Sequence, residues 1–130
     1  MNSSSHINHN AVLRARVALL ASWELLAKEE VAAYRVLVDV SPLAYLPRLA
    51  VALREYSRRE FSGDPRTALA LHAESVAAAR RMCALEPERT DLLVDALVHY
   101  RERLVLTGRH AEVPAVDREI TLAGGSADSA

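Results

Sequence analysis

The chain has little of several residue types, and each shortage excludes something. Its single cysteine, Cys83, cannot form an intramolecular disulfide and is expected in the core. The 130 residues include only four glycines, and none forms a glycine-rich phosphate loop. Lys28 is the only lysine, so the basic side chains are almost all arginines, which favour bidentate pairing with carboxylates.

Charge and hydropathy exclude two kinds of partner. The formal net charge is −1, so the chain lacks the basic excess that attracts nucleic acid or anionic lipid. No apolar run approaches the ~20 residues that span a bilayer, and the start Met1–Ser5 lacks the basic and apolar regions of a signal peptide. We therefore expect a cytoplasmic protein with no nucleic-acid or membrane partner.

What the chain does contain is an internal repeat. The hexapeptide that starts at Glu30 is echoed 45 residues later by the one that starts at Ser75, and both end in arginine. Pro87 follows Pro42 by the same distance, and Ala52-Leu53-x-x-Tyr56 returns as Ala96-Leu97-x-x-Tyr100 after 44 residues. A period of this length is typical of helix-pair arrays, whose units bury their apolar faces on one another.

Composition and turn signals predict an all-α fold of about five antiparallel helices. The chain is rich in Ala, Leu, Arg and Glu, which favour helices, and no stretch shows the alternation of a strand. Gly63 and Gly108 are expected to close turns in the left-handed conformation. The predicted helices cover residues 11–40, about 47–61, 65–85, 90–106 and 113–122. The first range is expected to be one long helix, with a break near Ala21–Ser22 as the alternative. Residues 1–10 are predicted to be a disordered leader and 123–130 a flexible tail, which leaves 11–122 as the folded domain.

The helix–turn–helix units resemble the tetratricopeptide (TPR) repeat, in particular the arrays of actinobacterial proteins. The second unit matches the family's spacing at Leu97, Tyr100, Leu104, Gly108 and Val113, and Arg101 departs from it by being large. The first unit matches at Leu53, Tyr56, Ser57 and Ala68, after the similar segment Tyr45–Ala50. The resemblance covers about residues 21–122 and implies a TPR-like α-solenoid fragment.

The resemblance also implies where a partner binds. In that family the first helix of each pair lines a groove for a protein or peptide. Carried over to this chain, the groove residues are Arg54, Arg58, Phe61, Val98, His99, Glu102 and Val105. The two arginines are suited to an acidic group, whereas ordinary surface is the competing interpretation.

The chemistry of a catalytic or metal site is weak by comparison. His6 and His9 have a ligand-like spacing but no acid or cysteine nearby. His72 and His99 lie on different predicted helices with no evident carboxylate partner. We therefore expect no catalytic residue, metal or cofactor.

The leading functional hypothesis is a non-catalytic helical-repeat scaffold for protein–protein interaction. A further hypothesis makes the chain the C-terminal part of a larger regulatory protein, and genomic context would separate the two. The alternative is a small helical-bundle enzyme or a ligand-binding protein with a site between helices. The apolar residues of the first and last helices also predict self-association through the helical ends, unless the first helix folds back over its own apolar face.

Overall fold

The computed structural model describes residues 8–20 and 26–128, and this part of the chain is all-α, with no strand. Each helix packs mainly on the next along the chain, as in a repeat array. The order is α1 (His9–Leu20), α2 (Ala27–Leu37), α3 (Pro42–Glu60), α4 (Pro65–Leu85), α5 (Thr90–Leu106), a 3-10 turn (His110–Glu112) and α6 (Val113–Asp128).

The single long helix expected over residues 11–40 is wrong, because α1 and α2 are separate helices that pack on each other. Val12 and Ala15 of α1 are buried against Ala33 and Leu37 of α2. A straight 30-residue helix would leave the apolar stripe of its first half in water, and folding back buries part of it. The alternative, a break of that helix near Ala21–Ser22, concerns residues outside the described part of the chain, and Trp23 also lies outside it.

Helix α3 begins earlier than the sequence indicated. Pro42 occupies its first turn, and Pro47 lies inside the helix rather than at its start. Pro47 cannot donate to the carbonyl of Leu43, four residues before it. Leu43 is half exposed, so solvent can supply that hydrogen bond at modest cost.

The ends of α4 and α5 follow the turn signals. Asp64 caps α4, since its carboxylate accepts hydrogen bonds from the backbone N–H and the hydroxyl of Thr67. Gly108 closes α5 with φ +76°, and the next N–H, of Arg109, donates to the carbonyl of Leu104 at 2.8 Å. Gly63 does not share this geometry: Gly108 is the one glycine with positive φ among the described residues, so the left-handed turn expected at Gly63 is wrong.

The two ends of the chain are more helical than expected. Helix α1 includes His9 and Asn10, which belong to the expected leader, and α6 continues to Asp128 through most of the expected tail. Gly124 lies close to the side chain of Val94, so the extended α6 packs on α5.

The main core runs through α2 to α6. Its fully buried members come from both repeat units and include the predicted pair Leu53 and Leu97. The other large apolar side chains of this core with less than 2% exposure are Leu46, Met82, Leu104, Val31 and Val76, whereas Leu37 belongs to the smaller cluster between α1 and α2. Buried Ser75 donates its hydroxyl hydrogen bond to the carbonyl of Ala50 at 2.7 Å, which ties α4 to α3.

Candidate functional site

Four of the predicted partner-binding residues line one pocket of about 260 Å³ between α3, α4 and α5. They are Arg54 and Arg58 of α3, and His99 and Glu102 of α5. The pocket wall also includes residues that the sequence did not indicate as partner-binding: Val51, Glu55, Ser57, Ser62, His72 and Arg103. Four of the seven predicted residues thus line one pocket, and α4 supplies its third wall.

Arg54 connects the two repeat units directly. Its Nη1 lies 3.0 Å from Oδ2 of Asp95 and 2.9 Å from Nδ1 of His99. The Arg54 side chain is only 14% exposed, whereas that of Asp95 is 57% exposed, so the ion pair is buried on the arginine side and open to solvent on the other. Helices α3 and α5 thus touch through polar side chains across the face of the array.

His99 has two competing partners for one ring nitrogen. Its Nδ1 lies 2.9 Å from Arg54 and 2.8 Å from the backbone carbonyl of Asp95. Arginine only donates, so bonding to Arg54 requires an unprotonated Nδ1, whereas bonding to the carbonyl requires Nδ1–H. The two hydrogen bonds are alternatives, and a ligand that engages Arg54 would favour the second.

His72 supplies the wall that α4 contributes. It is only 7% exposed, and its ring is stacked with that of His99 at a centroid distance of 6.4 Å. Burial lowers the pKa of His72 to about 4, helped by the positive charges of Arg103 and Arg54 and by His99. The imidazole is therefore neutral at pH 7.

The charged side chains of the pocket differ in how far they are already paired. Arg58 donates to Glu55, and Arg59 also lies within ion-pair distance of Glu55, so these arginines hold the pKa of Glu55 below its usual range. Arg103 makes no ion pair within the described part of the chain, and neither does Glu102. Arg103 is thus the cation of the pocket that remains available to a ligand.

The other three predicted residues lie outside the pocket. Val98 and Val105 are 47% and 39% exposed and line a shallow depression beside it, together with His99 and Glu102. Phe61 does not join them, because its ring is half buried and packs edge-on against Tyr56, with centroids 5.0 Å apart. Phe61 therefore belongs to the core side of α3.

His72 and Arg103 could not be assigned to the site from the sequence. His72 precedes the repeated hexapeptide of α4, and only the packing of α4 between α3 and α5 brings it to His99. Arg103 follows Glu102 directly and carries no separate signal. Both histidines are evident in the sequence, but no sequence pattern indicates that they line one pocket.

The described residues offer little for metal or nucleophilic chemistry. They contain no group of three or more His, Cys, Asp or Glu side chains that could hold a metal ion. Ser57 lines the pocket with His72 and His99, but among the described residues no hydrogen bond joins its hydroxyl to either ring. Cys83 donates to the carbonyl of Arg89, and burial raises the pKa of its thiol. What the pocket offers is arginine and imidazole hydrogen bonding in a partly enclosed space.

Comparison with protein-family models, characterised proteins and solved structures finds no match for the chain. Among the helices that the structure describes, none combines the length and apolar character needed to cross a membrane.

Proposed function

We propose that the chain is a non-catalytic, TPR-like helical-repeat scaffold that mediates protein–protein interaction in the cytoplasm. The partner is a protein or peptide segment that lies along one side of the array. This side, called the α3–α5 surface below, comprises Val51, Arg54, Arg58, Val98, His99, Glu102 and Val105.

The contact between Arg54 and His99 carries the proposal. Residues of alternate helices meet there, so α3 and α5 form a continuous surface rather than two separate ridges. Stacked repeats use such surfaces to bind extended partners.

The composition of the surface fits a protein partner. Val51 and Val98 are 45% and 47% exposed and line one depression between α3 and α5, so they offer adjoining apolar surface to a partner. Arginine and histidine side chains flank these valines and can satisfy polar groups of a bound segment. An apolar centre with a polar edge is the common arrangement of protein interfaces.

Site-specific photocrosslinking in cells tests the proposal. A benzoylphenylalanine at Val98 lies on the α3–α5 surface, and the same group at Ala77, an exposed position of α4, is the matched control. We expect a discrete crosslinked product from Val98 and none from Ala77. The partner identified in that product should then bind the purified chain, and Val98→Asp should weaken this binding more than Ala77→Asp. Equal products from both positions, or none from Val98, would contradict the proposal.

A further inference from the structure

Two residues of one pocket each have a buried polar atom without a hydrogen-bond partner. Nε of Arg54 and Nδ1 of His72 are the fully buried side-chain nitrogen or oxygen atoms that have no hydrogen-bond partner within the described residues. Both residues line the α3–α4–α5 pocket, although they come from different helices. Unsatisfied buried polar atoms are rare in proteins, so two in residues that line one pocket distinguish this pocket from the rest of the described chain, although the two atoms themselves are covered in the unbound chain.

The charged side chains of the pocket indicate what kind of ligand it suits. Arg58 is engaged with Glu55, and Arg54 with Asp95 outside the pocket, whereas Arg103 has no ion-pair partner in the described part of the chain. The three arginines are matched in number by the carboxylates of Glu55, Glu102 and Asp95, so the site has no general positive excess. A ligand with a single negative charge would therefore bind through the unpaired guanidinium of Arg103.

We propose that this pocket is a binding site for one carboxylate group. Arg103 donates to the carboxylate through its planar guanidinium, Arg54 supports it from α3, and the two stacked imidazoles form the floor. A space of about 260 Å³ holds an acidic side chain or a small organic acid, but not a nucleotide-sized cofactor. Phosphate is disfavoured because its higher charge at pH 7 would meet the carboxylates of Glu55 and Glu102 in the same wall.

The carboxylate has two sources that the chemistry of the pocket does not separate. An acidic side chain of the partner protein would make the pocket the anchor of the α3–α5 surface, and in this form the inference rests on the proposed function. A free small acid would make it an effector site within the same array. The experiment below therefore contains an arm for each source.

The test is an NMR titration of the histidine rings in the full chain, at pH 7 and constant ionic strength. The three probes are sodium butyrate, the peptide acetyl-Ala-Glu-Ala-amide and inorganic phosphate. We expect butyrate, the peptide or both to cause saturable shifts of the His72 and His99 ring signals, while those of His110, which lies outside the pocket, remain unchanged. The probe that binds more tightly identifies the source. No saturable shift with either carboxylate, or tighter binding of phosphate, would overturn the inference.

Variants connect the shifts to Arg103. Arg103→Gln should weaken carboxylate binding by about tenfold or more, because a charge-assisted hydrogen bond is lost. Arg81→Gln removes an exposed arginine of α4 outside the pocket and should leave binding within about twofold of the wild type. Arg103→Lys keeps the positive charge but loses the planar guanidinium, so its carboxylate affinity should lie between those of Arg103→Gln and Arg81→Gln. The lysine variant replaces Arg103→Gln in the test if Arg103→Gln does not fold. Equal affinities in Arg103→Gln and Arg81→Gln would refute the role of Arg103.

The two proposals fail separately. The butyrate arm needs only the purified chain, so it can fail while the Val98 crosslink succeeds. A bound carboxylate without a crosslink would leave the site in place and remove the protein partner.

Discussion

Arg80 makes with Glu119 the same bidentate ion pair that Arg35 makes with Glu74 (distances 2.6–2.9 Å), and the two arginines lie 45 residues apart. The glutamates are separated by the same 45 residues. In each case the pair links helices that are two apart in the chain, α2 to α4 and α4 to α6. In each pair the glutamate is the main cause of the raised pKa of the arginine. Tyr56 also raises the pKa of Arg35, and Tyr100, at the matching position of the second unit, raises that of Arg80.

This equivalence gives the sequence repeat a physical meaning. The side chains of both pairs are 29–53% exposed, so each pair contributes modestly to stability. Each bidentate pair links two helices that share no extensive packing interface, and its planar geometry favours one separation between them. The 45-residue period therefore describes how alternate helices are spaced along the array.

The shared core of the two repeat units predicts equal sensitivity at Leu53 and Leu97. Both side chains are completely buried and lie 44 residues apart. We expect Leu53→Ala and Leu97→Ala each to lower the free energy of unfolding by about 2–5 kcal/mol in urea denaturation. The control Leu43→Ala, at a half-exposed position of α3, should cost less than about 0.5 kcal/mol. Thermal unfolding gives a second measurement: if the melting temperature of either core variant lies within a degree of that of the wild type, the repeat alignment is wrong.

The two turn glycines predict opposite results. Gly108 has φ +76°, so Gly108→Ala should destabilise the chain by about 1–2 kcal/mol through backbone strain. Gly63 has no positive φ, and a Cβ added there would have no neighbouring atom within 4 Å. Gly63→Ala should therefore be neutral or stabilise by up to about 1 kcal/mol, since alanine restricts the unfolded chain. Thermal unfolding of both variants checks this contrast, and a loss of equal size in both would contradict it.

The buried His72 predicts that stability falls in mild acid. Its pKa is about 4 in the folded chain and about 6.5 when unfolded, so the unfolded state binds the additional proton between these values. Stability should therefore fall as the pH drops from about 6.5 to about 4, by up to ~3 kcal/mol from this group. His72→Gln should flatten the profile of unfolding free energy against pH in that window. A ring signal of His72 that titrates near pH 6.5 would refute the cause.

The end of the array at α1 predicts self-association. Although α1 folds back on α2, Leu13 and Leu20 remain 61% and 86% exposed. With Val17, which is 56% exposed, they follow the i, i+4, i+7 spacing of one helix face, and an exposed apolar face favours association. Light scattering should show a mass that rises with concentration for the wild type, and a constant monomer mass for Leu13→Glu/Leu20→Glu. The matched pair Leu106→Glu/Leu122→Glu tests residues exposed towards the opposite end of the array. A wild-type chain that stays monomeric throughout would remove this prediction.

The sequence predicted the helices better than it predicted the pocket. Pro65, Gly108 and the apolar periodicity act locally, so the bounds of α4 and α5 could be read directly. The fold-back of α1 and the inclusion of Pro47 in α3 could not, because both depend on how the helices pack. The pocket shows the same limit. Arg54 and His99 could be assigned to one surface by the resemblance, but His72 lies beside them only because α4 packs between α3 and α5.

The most direct test of the α3–α5 surface as the binding surface is a methyl NMR spectrum of the valine-labelled chain, recorded with and without the partner recovered from the Val98 crosslink. Val98 and Val105 report on this surface, and the exposed Val17 and Val40 report on α1 and on the turn before α3. We predict that the methyl signals of Val98 and Val105 shift or broaden on binding while those of Val17 and Val40 stay unchanged. Changes confined to Val17 would place the partner at the end of the array and contradict the α3–α5 surface as the binding surface.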